Sequence, residues 1–596
     1  MINTGMMLIA AMAVSTPGAV KIDGWIGERF NRSLNGNVLK LDLEKDFFPP
    51  FEKREAKSGF IGLGKHADAL VHYAKNTGDK RVIAEKEKAI GFLIDHQLPN
   101  GYTGFFCEAA RLGELWDIHE MGFIIQALVA DYELFGNEKA LIAAKKNVDH
   151  ILENWPKLPD NWEMTYITDR ETMLGFGYSV ARLYAVTKEE RYREFLRHER
   201  ALDVWNQPIV LGRGKMIYGQ AYGYMGTCLE QLELYQYDPR QRYLECSLRA
   251  LDFQTKRDGL LINGNGGIAE CWTDDQDGEG SVGETCNATF SLLFWDELYR
   301  LGVVDRALLG DLMERCIYNG LFAAMSRDGR RLRYYTPLNG EREFWPDDLY
   351  CCPNNFRRGM SRLPEYIFYT EGRAVFANLY TACEATLDVE GEKVVIKEET
   401  DYPVSGKVKF TFDSPGKRTF AFNVRIPRWA KESVAYINGK KVTYIYKPGE
   451  MLSLPKVWKK GDTVELDFAM PVKPVLGRKR QSGRFAVMRG PLVYALNTRT
   501  IDVFKEKHPW DVQTMMMMDP KQLEYRDGKI KAVVSTAPMS VGVQDLSVDG
   551  EKIPRYIRIV DLVPYEDEDN TLTYFRAPDI KVVVAEDDLL INKCCK

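Results

Sequence analysis

Three short segments carry the side chains with the most reactive chemistry: Ala269-Glu270-Cys271-Trp272, Gly283-Glu284-Thr285-Cys286-Asn287 and Leu349-Tyr350-Cys351-Cys352-Pro353-Asn354-Asn355. A Glu and a Cys two positions apart face the same way in an extended segment, and two adjacent cysteines both reach a metal where the backbone turns. Glu284, Cys286, Cys351 and Cys352 therefore offer one carboxylate and three thiolates, a donor set suited to tetrahedral zinc. The spacing is not a standard zinc motif. Two other readings stay open: four unrelated residues, or a strained vicinal disulfide between Cys351 and Cys352. Eleven cysteines in 596 residues are too sparse for a disulfide scaffold, and Cys594-Cys595 ends the chain in an expected tail.

The elements that must position these segments change character along the chain. From about Ser58 to Tyr369 the apolar residues recur at helical spacing, as in Ile124-Ile125-Ala127-Leu128-Ala130. Turns at Thr77-Gly78-Asp79-Lys80, Gly136-Asn137-Glu138-Lys139, Thr187-Lys188-Glu189-Glu190, Asp238-Pro239-Arg240 and Gly302-Val303-Val304-Asp305 recur roughly every 50 to 65 residues, which predicts helical hairpins. With a last helix expected from about Phe356 to Tyr369, they allow about six hairpins, the number that closes an (α/α)6 toroid; an open solenoid is the alternative. The long loops Gly264 to Gly283 and Arg330 to Asn355 are of the length that usually carries function.

After Arg373 the period becomes two. Val408-Phe410-Phe412, Phe420-Phe422-Val424-Ile426 and Val464-Leu466-Phe468 alternate between turn residues, a β-sandwich pattern, and Asn438-Gly439 predicts a tight hairpin. A second β block runs from about Phe485 to Leu590. The expected organisation is multidomain, α then β: a signal-peptide-like segment at 1–19, an (α/α)6 catalytic barrel at 20–372, a β-sandwich at 373–475 and a second β-sandwich module at 476–596. The Met515 to Met518 run has no assigned purpose.

Hydrophobic residues make up 45% and charged residues 28%, the balance of a globular chain. A net charge of −5 provides no basic field for a phosphate backbone, so no nucleic acid partner is expected. The apolar run Met6 to Val14 has signal-peptide length but no preceding Lys or Arg. It predicts a periplasmic or secreted protein, with a cytoplasmic one as the alternative. No later segment approaches a membrane span. The oligomeric state is left open.

The order Ala-Glu-Cys-Trp, Gly-Glu-Thr-Cys, Tyr-Cys-Cys-Pro-Asn-Asn and then Met488-Arg489-Gly490-Pro491-Leu492-Val493-Tyr494 resembles glycoside hydrolase family 127, which includes β-L-arabinofuranosidases with an (α/α)6 barrel followed by β-sandwiches. The resemblance runs from about Val20 into the second β block. It implies zinc held by Glu284, Cys286, Cys351 and Cys352, with Cys351 as nucleophile and Glu270 as acid/base. The roles are chemically coherent. A thiol with an ordinary pKa is mostly protonated at neutral pH, and zinc coordination deprotonates it to a thiolate. One carboxyl group can protonate the leaving oxygen and then take a proton from water.

The pocket departs from the family pattern. Where the arabinofuranosidases resembled have histidines, this chain reads Phe123, Met173 and Gln220. His119 is one turn away and could replace one of them. Tyr334 or Tyr335 resembles a family Tyr at the reacting centre. His119, Tyr334 and Gln220 are the expected substrate contacts.

The sequence thus predicts a zinc-dependent retaining exo-glycosidase that removes a terminal furanose, L-arabinofuranose by resemblance, from oligosaccharides of plant cell walls. Two rivals remain. In one the same mechanism acts on an acidic branched pentose of pectin, paired with Arg170, Arg182, Arg357 or Arg358. In the other the chain is a non-catalytic glycan-binding protein with structural zinc.

Overall fold

The computed structural model describes residues 12–113, 115–158, 175–211, 220–500, 516–536, 547–548, 551–552, 556–577 and 585–591. Helices Leu63–Thr77, Leu115–Phe135, Phe176–Thr187, Ala221–Tyr237, Thr285–Leu301 and Cys351–Ser361 each pack on the next, and the last returns to the first. Helices Lys80–Asp95, Glu138–Asn154, Glu190–Glu194, Arg242–Lys256 and Arg306–Arg315 alternate with them in the chain, each packing on the ring helix before it. The sequence encodes this division. Leu115–Phe135 is buried over most of its circumference. Lys80–Asp95 buries one stripe at Val82, Lys86, Ala89, Ile90 and Leu93, the spacing of an outer amphipathic helix. The turn residues act as caps. Asp79, Asn137 and Asp305 accept hydrogen bonds from the first-turn backbone of the helices that follow. Gly78 and Gly302 end helices at φ 64° and 65°, where a Cβ would be strained.

Inside the ring, polar side chains tie the helices together. The Arg358 guanidinium donates to Asp68 (2.7 Å), Asn355 (3.1 Å) and Gln126 (2.8 Å), joining three ring helices in a fully satisfied buried network.

Two expectations are corrected. The last ring helix spans Cys351–Ser361 rather than 356 to 369. Pro353 is tolerated because first-turn N–H groups have no intrahelical partner, whereas Pro364 disfavours continued α-helix at Leu363, where a short 3-10 turn, Leu363–Tyr366, follows, and Phe368–Glu371 is already a strand. The N-terminal segment is also not all part of the helical layer. Val20–Ile22 is an edge strand paired with Cys383–Val389, and Val14 bridges Thr370. Residues 1–11, Met515 and Cys594-Cys595 lie outside the described residues. No helix among the described residues is long and apolar enough to cross a membrane.

The β-rich region begins with a seven-stranded sheet in the order Val20–Ile22, Cys383–Val389, Glu392–Thr400, Lys407–Asp413, Thr463–Phe468, Ser433–Ile437 and Lys440–Lys441. A four-stranded sheet contains Phe420–Ile426, and its Phe422 ring lies 5.0 Å from both Phe410 and Phe412 of the first sheet. These alternating phenylalanines are the core the period-two pattern predicted. Farther along, a seven-stranded sheet opens with Val472–Leu476, and Arg484–Arg489 pairs with both Leu492–Ala495 and Tyr574–Arg576. Among the described residues this sheet curls back on itself, in place of the two facing sheets expected for 476–596. A separate two-stranded sheet, Ser547–Val548 with Glu551–Lys552, also lies within 476–596. Met516 to Met518 start one of its strands, with Met516 and Met518 buried.

The junction between helices and sheets is ionic and buried. Arg425 bonds Asp311, Glu314 (2.7 Å) and the Asn378 carbonyl (2.7 Å), while Tyr402 donates to Glu314 at 2.6 Å. Removing one partner of such a network strands the others without water. Arg425→Met is expected to cost about 3–5 kcal/mol in urea unfolding; a loss below about 1 kcal/mol would show that the junction is not ionic in origin.

Candidate active site

Two ring helices begin at the cysteine cluster. Glu284 precedes the Thr285–Leu301 helix and Cys286 is its second residue, while Cys351 and Cys352 open Cys351–Ser361. Unpaired N–H groups and the helix dipole at both starts favour negative charge on sulfur. The Cys286 Sγ lies 3.2 Å from Cys351 Sγ and 3.1 Å from Cys352 Sγ, and Cys352 Sγ is 3.5 Å from Glu284 Oε1. Ligand atoms of Glu284, Cys286 and Cys352 all lie within 4.8 Å of one another. Cys351 adjoins this group through Cys286. All three thiols are free, so Cys351 and Cys352 are not joined to each other.

The electrostatics separate Cys351 from its neighbours. Burial, with charge from Glu270 and Cys351, pushes the Glu284 carboxyl well up, and burial does the same to the thiols of Cys286 and Cys352. Cys351 goes the other way, down to about 6, because a hydrogen bond from Cys286 and the Lys65 ammonium outweigh its burial. Lys65 Nζ donates to Cys351 Sγ at 3.1 Å and lies 4.5 Å from the centre of the Phe123 ring. Asn355 Nδ2 donates to Cys286 Sγ at 3.1 Å, and Tyr222 Oη is 3.7 Å from Cys351 Sγ. The buried Glu120 carboxylate holds the Lys65 helix in place by accepting from the backbone of Ile61, Gly62 and Gly64 at 3.1, 2.7 and 3.1 Å. Burial pushes the Cys271 thiol up to about 12, so it stays protonated.

Glu270 sits on a strained turn. The Cys271 N–H donates to the Ile268 carbonyl at 3.0 Å, and the two central residues, Ala269 and Glu270, have φ 44° and 71°. A two-residue turn with both φ positive favours Asn-Gly. Here it takes Ala-Glu, placing the carboxylate between two donors: Tyr334 Oη bonds Oε1, and Gln220 Nε2 bonds Oε2 at 2.8 Å. The Ala221 N–H donates to the Glu270 carbonyl at 2.9 Å, fixing the turn to a ring helix. The Thr285 N–H donates to the Tyr334 carbonyl at 2.9 Å. Acid segment and thiol segment are thereby joined through residue 334.

Of the expected substrate contacts, Tyr334 and Gln220 meet at Glu270. His119 is buried among Phe60, Trp116 and Phe123, with ring centres at 5.0, 5.3 and 4.9 Å. Arg182 pairs with Glu233 (3.0 Å) and Glu133; Arg357 bonds Asn37 and Asn354, both at 2.7 Å. An acidic sugar would have to displace these partners, or those of Arg358. Arg170 and Met173 lie outside the described residues. Lys65 and Asn355 escaped the sequence reading. The available signal was Lys65, His66 and Asp68 close together at the start of one helix, and an Asn one turn after Cys351.

The chain matches the model for the beta-L-arabinofuranosidase GH127 catalytic domain over residues 28–365, and that for the GH127 middle domain over 374–470. The protein is therefore a glycoside hydrolase. It belongs to glycoside hydrolase family 127. It is 25% identical over 477 residues to the non-reducing end beta-L-arabinofuranosidase of Bifidobacterium longum subsp. longum, a match covering 69% of this chain and 70% of that one. Its fold resembles a GH127 beta-L-arabinofuranosidase from Geobacillus stearothermophilus T6, with a TM-score of 0.76 at 19% identity over 94% of this chain and 100% of that one. It also resembles a solved GH127 beta-arabinofuranosidase, with a TM-score of 0.78 at 19% identity over 98% and 100%.

The turn geometry is testable without a substrate. A β-branched residue tolerates positive φ worse than alanine, and glycine tolerates it freely. Ala269→Val is expected to destabilise by about 1–3 kcal/mol in urea unfolding and Ala269→Gly to be neutral or stabilising. The reverse order would contradict the strained turn.

Proposed function

We propose that the protein is a zinc-dependent retaining exo-glycosidase that removes terminal L-arabinofuranose from plant cell-wall glycans. Cys351 would be the nucleophile and Glu270 the acid/base, on an (α/α)6 barrel backed by β-rich modules and bounded near residue 372. The observation that carries this reading is the convergence of Glu284, Cys286, Cys351 and Cys352 on one buried spot, linked through Tyr334 to a carboxylate that two donors hold. Membership of the family and the name of the Bifidobacterium relative support the sugar.

The residues fit a zinc ion. Three sulfurs and a carboxylate suit it chemically, and Glu284 Oε2 is buried without a hydrogen-bond partner. Glu284, Cys286, Cys351 and Cys352 would hold it. Bound there, zinc would supply the positive charge that keeps these groups deprotonated together.

The chain's own residues do the rest. Lys65 directs a hydrogen bond at the Cys351 sulfur, favouring its thiolate for attack on the anomeric carbon. As the glycosidic bond breaks, Glu270 gives its proton to the leaving oxygen. It then takes a proton from the water that cleaves the thioglycosyl bond, and the second displacement restores the original configuration. Tyr334 and Gln220 keep the carboxylate aimed through both steps. The acidic-pentose alternative gains nothing from Arg182, Arg357 and Arg358, which already have partners.

The test is hydrolysis of an aryl β-L-arabinofuranoside followed by NMR. β-L-arabinose should appear first, and Cys351→Ser should abolish turnover. Glu270→Gln should slow cleavage of natural linkages by about 10²–10⁴-fold. An inverted first product, or an active Cys351→Ser variant, would overturn the mechanism.

A further inference from the structure

An aromatic shelf lies beside Glu270, on residues that no role above uses. Trp345 and Tyr350 are 37% and 41% exposed, whereas Tyr334 beneath them is 6% exposed. Their ring centres lie 4.7 Å (Tyr334 to Trp345), 6.0 Å (Tyr334 to Tyr350) and 5.5 Å (Trp345 to Tyr350) apart. The shelf is therefore continuous from a buried ring to two open ones.

The loop bearing it is held firmly. The Trp345 N–H donates to the Leu332 carbonyl at 2.8 Å. Phe344 lies against the guanidinium groups of Arg331 and Arg333, at 4.0 and 3.9 Å. Farther along, the Asp348 carbonyl accepts from Arg357 at 2.8 Å and the Leu349 carbonyl from Asn354 at 2.6 Å. Large rings kept rigid and open to solvent bear an unfavourable hydration cost that a ligand face would relieve.

We propose that Trp345 and Tyr350 form the subsite for the sugar ring on the leaving side of the cleaved bond, which stacks its C–H face on them. This deepens the arabinofuranosidase reading and rests on it for the direction of cleavage. The position selects the occupant. An acid/base must lie next to the glycosidic oxygen, the atom shared by the sugar being removed and the sugar left behind. Tyr334 bonds Glu270 through its hydroxyl and packs on Trp345 through its ring, so the shelf starts where that oxygen must be. The thiol cluster marks the opposite partner, the sugar that is removed.

The test compares two substrates of the full-length protein: a β-L-arabinofuranosyl-arabinose disaccharide, which fills the subsite, and β-L-arabinofuranosyl fluoride, which cannot. For Trp345→Ala and Tyr350→Ala, the ratio of kcat/KM on the disaccharide to that on the fluoride should fall about tenfold. Trp345→Phe should recover most of it. An unaltered ratio, including one in which both substrates slow together, would overturn the subsite. A wild type inert on both substrates would instead sink the arabinofuranosidase reading. The shelf would then be judged by tryptophan fluorescence: quenching by arabino-oligosaccharides that Trp345→Ala abolishes supports it, and no quenching in the wild type overturns it.

Discussion

Repulsion among Glu284, Cys286, Cys351 and Cys352 is the constraint on which the rest of the site depends. Four groups that can each carry a negative charge are packed within hydrogen-bond range of a neighbour and shut away from water. In a low-dielectric pocket they cannot all ionise unless positive charge accompanies them. The fold supplies part of it: two helix N-termini lie at the cluster, the Asn355 amide donates to Cys286, and the Lys65 ammonium donates to Cys351. At Cys286 and Cys352 burial dominates, the condition a divalent cation relieves.

The surroundings hold this arrangement in place at some cost to stability. Glu270 is carried on a turn whose backbone suits Asn-Gly, and the bonds from Tyr334, Gln220 and Ala221 offset the strain. Arg358 bonds into three ring helices, and Arg425 ties the helical layer to the sheets. Buried ion pairs add less net stability than apolar packing of the same volume, yet they tolerate no substitution on one side only. Such a design favours fixed geometry at the thiols over maximal stability.

The architecture was legible where one physical rule dominated. Helical periodicity, capping residues such as Asp79 and Asn137, and the change to period-two alternation at Val408, Phe410 and Phe412 all reported local backbone preference, which a sequence displays directly. The meeting of the Glu-x-Cys and Cys-Cys segments was readable only because the residue types restricted the chemistry. Contacts made by tertiary packing were not readable. Lys65 comes from a helix 286 residues before Cys351, Val20–Ile22 crosses into a sheet formed largely by residues beyond 380, and Gln220 bonds the carboxylate of Glu270. The early start of the Cys351–Ser361 helix was hidden by Pro353, which reads as a helix breaker although the first turn accepts it.

If Cys351 is a thiolate held ready by a cation that it shares with Glu284, Cys286 and Cys352, the metal and its ligands should be visible together in the purified protein. X-ray absorption at the zinc edge measures this most directly. The expected result is one zinc per chain with three sulfur ligands and one oxygen, falling to two sulfurs in Cys286→Ser. Protein prepared without chelators that contains no zinc, or whose zinc has no sulfur neighbours, would contradict the central claim.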